Sequence, residues 1–257
     1  MSTRTLQTSL VAALTAGCLC APLAARAAPL PDAVFGATLG TFNTSQSYSA
    51  PGTYALGNLS TTVSGLPTAT LTGHATGTDV NVFNGNGSLE SSIVYSFGLN
   101  GAPAGVVVPM FVSFTLLTSS TGGPAFQDDA SARFVLNNGA FDVINLFSSS
   151  GDPLAHPNFT GTLGFSQLSD AVGRVSLQID VRAIGGGGAD AFVDPYIFID
   201  PDFLARHPEY SVAVSAGIGN AAPGGGTVPE PASWALMVLG FGALGAALRR
   251  RARPQTA

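Results

Sequence analysis

An antiparallel β-sandwich, plain or arranged as a jelly roll, is the all-β fold class that the central part of this chain predicts, and three observations predict it. In VSLQIDVR, Val175, Leu177, Ile179 and Val181 fall on one side of an extended strand, and Ser176, Gln178, Asp180 and Arg182 on the other. That is the alternation of a strand with one face in a core and one in water. Phe, Val, Ile and Leu are plentiful but come in short runs divided by Gly, Asn, Ser and Pro, which is how strands and turns read. Asn138-Gly139 stands between two such runs, a strong hairpin signal because both residues tolerate the positive φ of a tight reversal. Seven or more strands at turn-punctuated intervals are enough for two packed sheets.

In chain order, residues 1–27 predict a secretory signal peptide. Arg4 supplies the positive n-region, LVAALTAGCLCAPLAA the apolar h-region, and Ala25-Arg26-Ala27 a small-x-small cleavage site, the pattern read by a Sec-type export machinery. The mature chain is then expected to begin at Ala28, since a cut one residue later would place Pro29 directly after it. LTAGC, at Leu14 to Cys18, approaches a lipoprotein box with its leucine one place early. Both cysteines, Cys18 and Cys20, lie in this leader, so no disulfide can staple the mature protein and its stability must come from a core.

Residues 28–220 are of a size for one domain. Its strands are expected in SSIVYSFGL, VVVPMFVSFTLL, SARFVLNN, AFDVINLF, FTGTLGFSQL, VSLQIDVR, ADAFVDPYIFI and YSVAVSAGI. DPDFLARHPEY can hold one short turn of helix, with Asp202 near its start and Pro208 ending it. Residues 221–228, within AAPGGGTVP, read as a flexible linker. From Ala232 to Leu248, ASWALMVLGFGALGAAL has no charge and reads as a transmembrane helix near the lower limit of about 17 residues. Trp234 lies near its N-terminal end and Arg249, Arg250, Arg251 and Arg253 follow it, so the bulk of the chain is expected outside the cytoplasm.

GFGALG, at Gly240 to Gly245, also fits the dinucleotide fingerprint G-x-G-x-x-G. That fingerprint has meaning only inside a βαβ unit with an acidic residue about 20 positions on. Here only AALRRRARPQTA follows, so the glycines are read as part of the membrane segment.

Residues 229–253 as a whole resemble the PEP-CTERM sorting signal, in its PEPxxWA variant. Pro229, Glu230 and Pro231 match its Pro-Glu-Pro, Trp234 and Ala235 its WA, Gly240, Phe241 and Gly242 its central glycines, and Arg249, Arg250 and Arg251 its basic tail. The resemblance implies recognition by exosortase, a membrane-embedded sorting protease. It implies a precursor anchored in the inner membrane with its ectodomain in the periplasm, later at the cell surface or outside the cell. It also implies association with exopolysaccharide and biofilm.

The sequence has no lysine, and Arg133, Arg174, Arg182 and Arg206 are the basic side chains of residues 28–220, where Asp and Glu outnumber them more than threefold. This acidic balance disfavours nucleic acid as a partner. Asp190, Asp194, Asp200 and Asp202 in ADAFVDPYIFIDPDF are the candidate metal ligands, because a hard cation such as calcium takes several oxygens. The competing reading is turn chemistry, since Asp before Pro bonds its own backbone. Asp79, Asn81 and Glu90 start an EF-hand spacing that Phe83 and Asn84 break. His74, His156 and His207 are scattered, and Ser215 in AVSAG lacks the first glycine of a nucleophile elbow. No cofactor is expected.

Two functions remain. The first is a non-enzymatic envelope or extracellular-matrix protein. The second is a secreted carbohydrate-binding or carbohydrate-active module, in which Tyr95, Tyr196 and Phe198 would replace the Trp that the domain lacks. An exposed aromatic row over an acidic groove is the feature that would favour the second.

Overall fold

The structure, a computed structural model, describes residues 29–41, 44–77, 87–121, 128–150, 158–183 and 187–221. The expected signal peptide, the sorting signal and membrane segment, Asp79, Asn81 and His156 lie outside the described residues. Among the described residues no helix is long and apolar enough to cross a membrane.

The strands are β1 (Val34–Thr41), β2 (Ser45–Tyr48), β3 (Gly52–Leu56), β4 (Leu59–Ser64), β5 (Thr70–Thr76), β6 (Gly87–Asn100), β7 (Val107–Ser120), β8 (Asp129–Asn137), β9 (Asp142–Ser149), β10 (Asn158–Leu168), β11 (Gly173–Ala183), β12 (Gly188–Ile199) and β13 (Ser211–Val214), with one helix, α1 (Pro201–Arg206), between the last two. They form two antiparallel sheets. The first runs β2-β1-β6-β11-β8-β9, with β13 also on β6, and the second runs β10-β7-β12-β5-β4-β3. From β6 to β13 the chain passes back and forth between the sheets, so most neighbours in a sheet are distant in sequence.

Alternation decides which face of each strand is inside. Val175, Leu177, Ile179 and Val181 of β11 are buried, as their spacing predicts. Phe97, Phe134, Leu89 and Ile93 of the first sheet and Leu59, Leu71, Met110 and Leu116 of the second are almost fully enclosed. The rings of Phe114 and Phe134 meet across the interlayer, with centroids 6.2 Å apart. Gly173 is there because a Cβ at that position would lie 2.2 Å from the Phe97 ring.

The Asn-Gly hairpin forms between β8 and β9, with Gly139 at φ 93°. Its loop spans residues 138–141 and not the two residues of the tightest reversal, because the register shifts at Leu136/Asn137. Asn138 Oδ1 accepts from the amides of Ala140 and Phe141 and closes the turn.

α1 is the single turn of helix expected after β12. Asp200 is its N-cap, accepting from the amides of Asp202 at 2.8 Å and Phe203 at 3.2 Å, which satisfies two of the free donors at a helix start.

The domain is closed by its own C-terminal segment. Ser215, 1% exposed, accepts from Ser96 N at 2.8 Å and donates to Pro31 O at 2.6 Å. Asn220 then uses its side chain as a strand would use its backbone, accepting from Ile197 N at 3.0 Å and donating to Ile197 O at 2.6 Å.

Candidate functional site

The outward face of the second sheet concentrates the chemistry. Register aligns Ser60 on β4, His74 on β5, Asp190 on β12 and Ser119 on β7 in one row across four strands. His74 Nδ1 lies 2.6 Å from Asp190 Oδ1, and the Ser119 hydroxyl donates to Asp190 Oδ2 at 3.3 Å. The next outward row holds Thr53, Thr62, Thr72, Phe192, Leu117 and Asn158, with the hydroxyls of Thr53 and Thr62 3.0 Å apart. Together the rows line an open groove of about 560 Å³. The side chains of His74 and Asp190 are 50% and 57% exposed. A pair that exposed adds on the order of 0.5 kcal/mol to stability, so folding does not account for its placement.

An aromatic row continues from the groove. Along β12 the outward positions are Asp190, Phe192, Asp194, Tyr196 and Phe198. Tyr196 and Phe198 stack at 5.2 Å between centroids, and Phe198 stacks on its cross-strand partner Phe111 at 5.6 Å. Phe111 faces Gly164 on the edge strand β10, and its ring lies close enough that a Cβ on Gly164 would be 3.2 Å away. Of the three aromatics named as sugar platforms, Tyr196 and Phe198 are on this face. Tyr95 is 3% exposed inside the sandwich, where burial first and the Asp194 charge second hold its hydroxyl pKa far above the usual range.

The four aspartates proposed as calcium ligands have separate places. Asp190 is paired with His74, Asp194 sits four residues further along β12, and Asp200 and Asp202 belong to the cap and first turn of α1. Among the described residues no group of three or more His, Cys, Asp or Glu is placed to hold a metal ion. Turn chemistry explains Asp200-Pro201 but not Asp194-Pro195, which lies within β12. β5 leaves β12 after Val193, and the Ile197 amide on that flank is met by Asn220. Pro195, two residues earlier, points its ring nitrogen the same way, so the missing N–H costs no ladder bond. Asp194 Oδ1 is buried without a hydrogen bond. Burial raises this carboxyl's pKa, while a hydrogen bond from Thr68 works against the rise.

Ser215 is enclosed and its hydroxyl is engaged with backbone, so it is a fastening and not a nucleophile. The arginines of the strands all face outward from the other sheet, Arg133 on β8 and Arg174 and Arg182 on β11. There Asp180 is paired in register with Glu90, and its pKa is raised by burial first and by Glu90 second. His74 is the functional candidate that sequence reasoning passed over. Its one signal is the outward position in TLTGHAT, which means nothing until register sets it beside a residue 116 positions away.

Fold and site together define a class, a two-sheet antiparallel β-sandwich that presents a polar groove and an aromatic row on one outward face. Residues 227–251 match the PEP-CTERM protein-sorting motif, so the C-terminal region carries that signal and indicates an exported protein sorted to the cell envelope. No curated protein matches the chain. Among solved structures it is similar to TmCBM61 in complex with β-1,4-galactotriose, at 13% identity and a TM-score of 0.24, over 51% of this chain and 71% of that one. It is also similar to the enzymatically active domain of bacteriophage CBA120 tailspike protein 4, at 10% identity and a TM-score of 0.24, over 64% of this chain and 19% of that one. Likenesses at this level carry no inference about ligand or activity.

Proposed function

We propose that this chain is a non-enzymatic protein of the envelope or extracellular matrix, sorted by exosortase through its C-terminal signal, whose sandwich binds carbohydrate on the outward face of the second sheet. The observation that carries the reading is the groove around His74 and Asp190 with Phe192 in its floor and the aromatic row beyond it. Neutral sugars offer hydroxyls to groups that both donate and accept, and C–H faces to apolar side chains. The groove supplies the first through Thr, Ser, Asn, His and Asp and the second through Phe192 and Leu117. A matrix polysaccharide is the ligand that fits an exported protein of this kind. The test is glycan-array binding of the exported protein with and without calcium, beside Phe192→Ala. The reading expects calcium-independent binding that the substitution weakens. Absence of binding to every glycan, or binding untouched by Phe192→Ala, would remove it.

A further inference from the structure

The groove and the aromatic row are two parts of one track along β12. At about 3.3 Å per residue, Phe192 and Phe198 are roughly 20 Å apart. The outward residues between them alternate in the strand register, and the neighbouring strand β7 sets Thr115 and Ser113 beside Asp194 and Tyr196. On the far side of β7, β10 contributes Thr160, Thr162 and Gly164. The track therefore offers hydroxyls along its length and an apolar group at each end, a layout suited to an extended chain and longer than one sugar ring needs.

Its charge is one-sided. The outward row of β12 contributes two carboxylates, Asp190 and Asp194. The groove's other titratable side chain is His74, already committed to Asp190. The chain has no lysine, the sandwich's strand arginines are on the opposite sheet, and Arg206, on α1 beyond the Phe198 end, bonds the carbonyl of Asp202 with its guanidinium near the Phe203 ring. A carboxylate-bearing polymer laid on this track would meet Asp190 with no arginine in the groove to answer it, whereas an uncharged one loses nothing there.

We infer that the outward face of the second sheet takes an internal stretch of a linear, uncharged polysaccharide laid along β12, with Phe192 at one end of the bound stretch and the Phe111–Phe198 stack at the other. This rests on the carbohydrate-binding reading above and adds the length and charge of the ligand to it.

The experiment is affinity electrophoresis of the exported protein in gels holding hydroxyethyl cellulose, β-1,4-galactan or polygalacturonate, followed by calorimetric titration of neutral oligosaccharides of two to six units from the best polymer. Retardation by at least one neutral polymer and none by polygalacturonate is expected. Affinity should climb about tenfold or more between the disaccharide and the hexasaccharide. The double variant Phe111→Ala, Phe198→Ala should lose about tenfold for the hexasaccharide, as two stacking contacts are removed, and nothing for the disaccharide seated at Phe192. Equal affinity at all lengths, or a loss that is the same for both lengths, overturns the extended track while leaving carbohydrate binding intact. Retardation by polygalacturonate as strong as by the neutral polymers overturns the charge assignment alone. Failure of every polymer to bind removes the carbohydrate reading and this inference with it. A circular-dichroism melt of the double variant, matching the parent, secures the comparison against misfolding.

Discussion

Asn220→Ala is expected to destabilise the sandwich far more than its place outside the named strands suggests. The side chain makes two hydrogen bonds to the backbone of Ile197, at 3.0 and 2.6 Å, and Ile197 is fully buried. Removing it forfeits two bonds worth about 1 kcal/mol each, and leaves a strand amide and carbonyl with poorer access to water than an open edge has. A loss of about 2 to 3 kcal/mol follows, which for a domain of this size lowers Tm by roughly 5 to 10 °C. Urea unfolding of residues 28–221, followed by tryptophan-independent far-UV signal, measures it directly. Asn220→Asp keeps the acceptor and loses the donor, so it should fall between parent and Ala variant. An Ala variant within about 0.5 kcal/mol of the parent would show that water or a neighbouring strand replaces the side chain, and that Asn220 does not fasten the domain.

Phe134→Ala, at a position with no exposure, should cost about 3 to 5 kcal/mol in the same unfolding experiment. Chelation by EDTA should leave Tm unchanged, since the four aspartates stand apart; a fall of several degrees would mean that an ion holds the fold. Asp194 has a raised pKa, so the native state binds its proton more tightly than the unfolded chain, and stability contributed by the protonated group is lost as pH rises through the folded pKa. Asp194→Asn should therefore stabilise at pH 7, with the gain disappearing below about pH 3.9, where both states are protonated; an equal effect at pH 3 and pH 7 would contradict the assignment. Glu230→Ala should leave the melt of the full-length protein unchanged while altering the processed fraction in cells, scored by gel shift between precursor and product.

The strands that were legible are those whose inward positions are large and apolar, as in VSLQIDVR and VVVPMFVSFTLL. β1 to β5 carried no comparable signal. In TLTGHAT the inward positions are Leu71, Gly73 and Ala75, and in LSTTVS they are Leu59, Thr61 and Val63, so small and hydroxyl-bearing residues blur the alternation. Thr61 is tolerated inside because its hydroxyl meets that of Ser91 at 2.8 Å, a pairing across sheets that no local pattern announces. The site was half visible for the same reason. ADAFVDPYIFIDPDF drew attention to its aspartates, yet the groove depends on His74 and Ser119, which only strand register brings to Asp190. The sorting motif was readable throughout because its residues are contiguous and need no fold to meet.

The Ser215 hydroxyl donates to the carbonyl of Pro31, so the first and last segments of the described sandwich are fastened to each other at neighbouring points. On either side of Ser215 in the chain are β13, a strand of four residues joined edgewise to β6, and Asn220, bonded to Ile197 of β12. The four paired positions of β13 on β6 are fewer than the eleven that join β11 to β6, so a force applied after residue 221 is expected to detach this segment first.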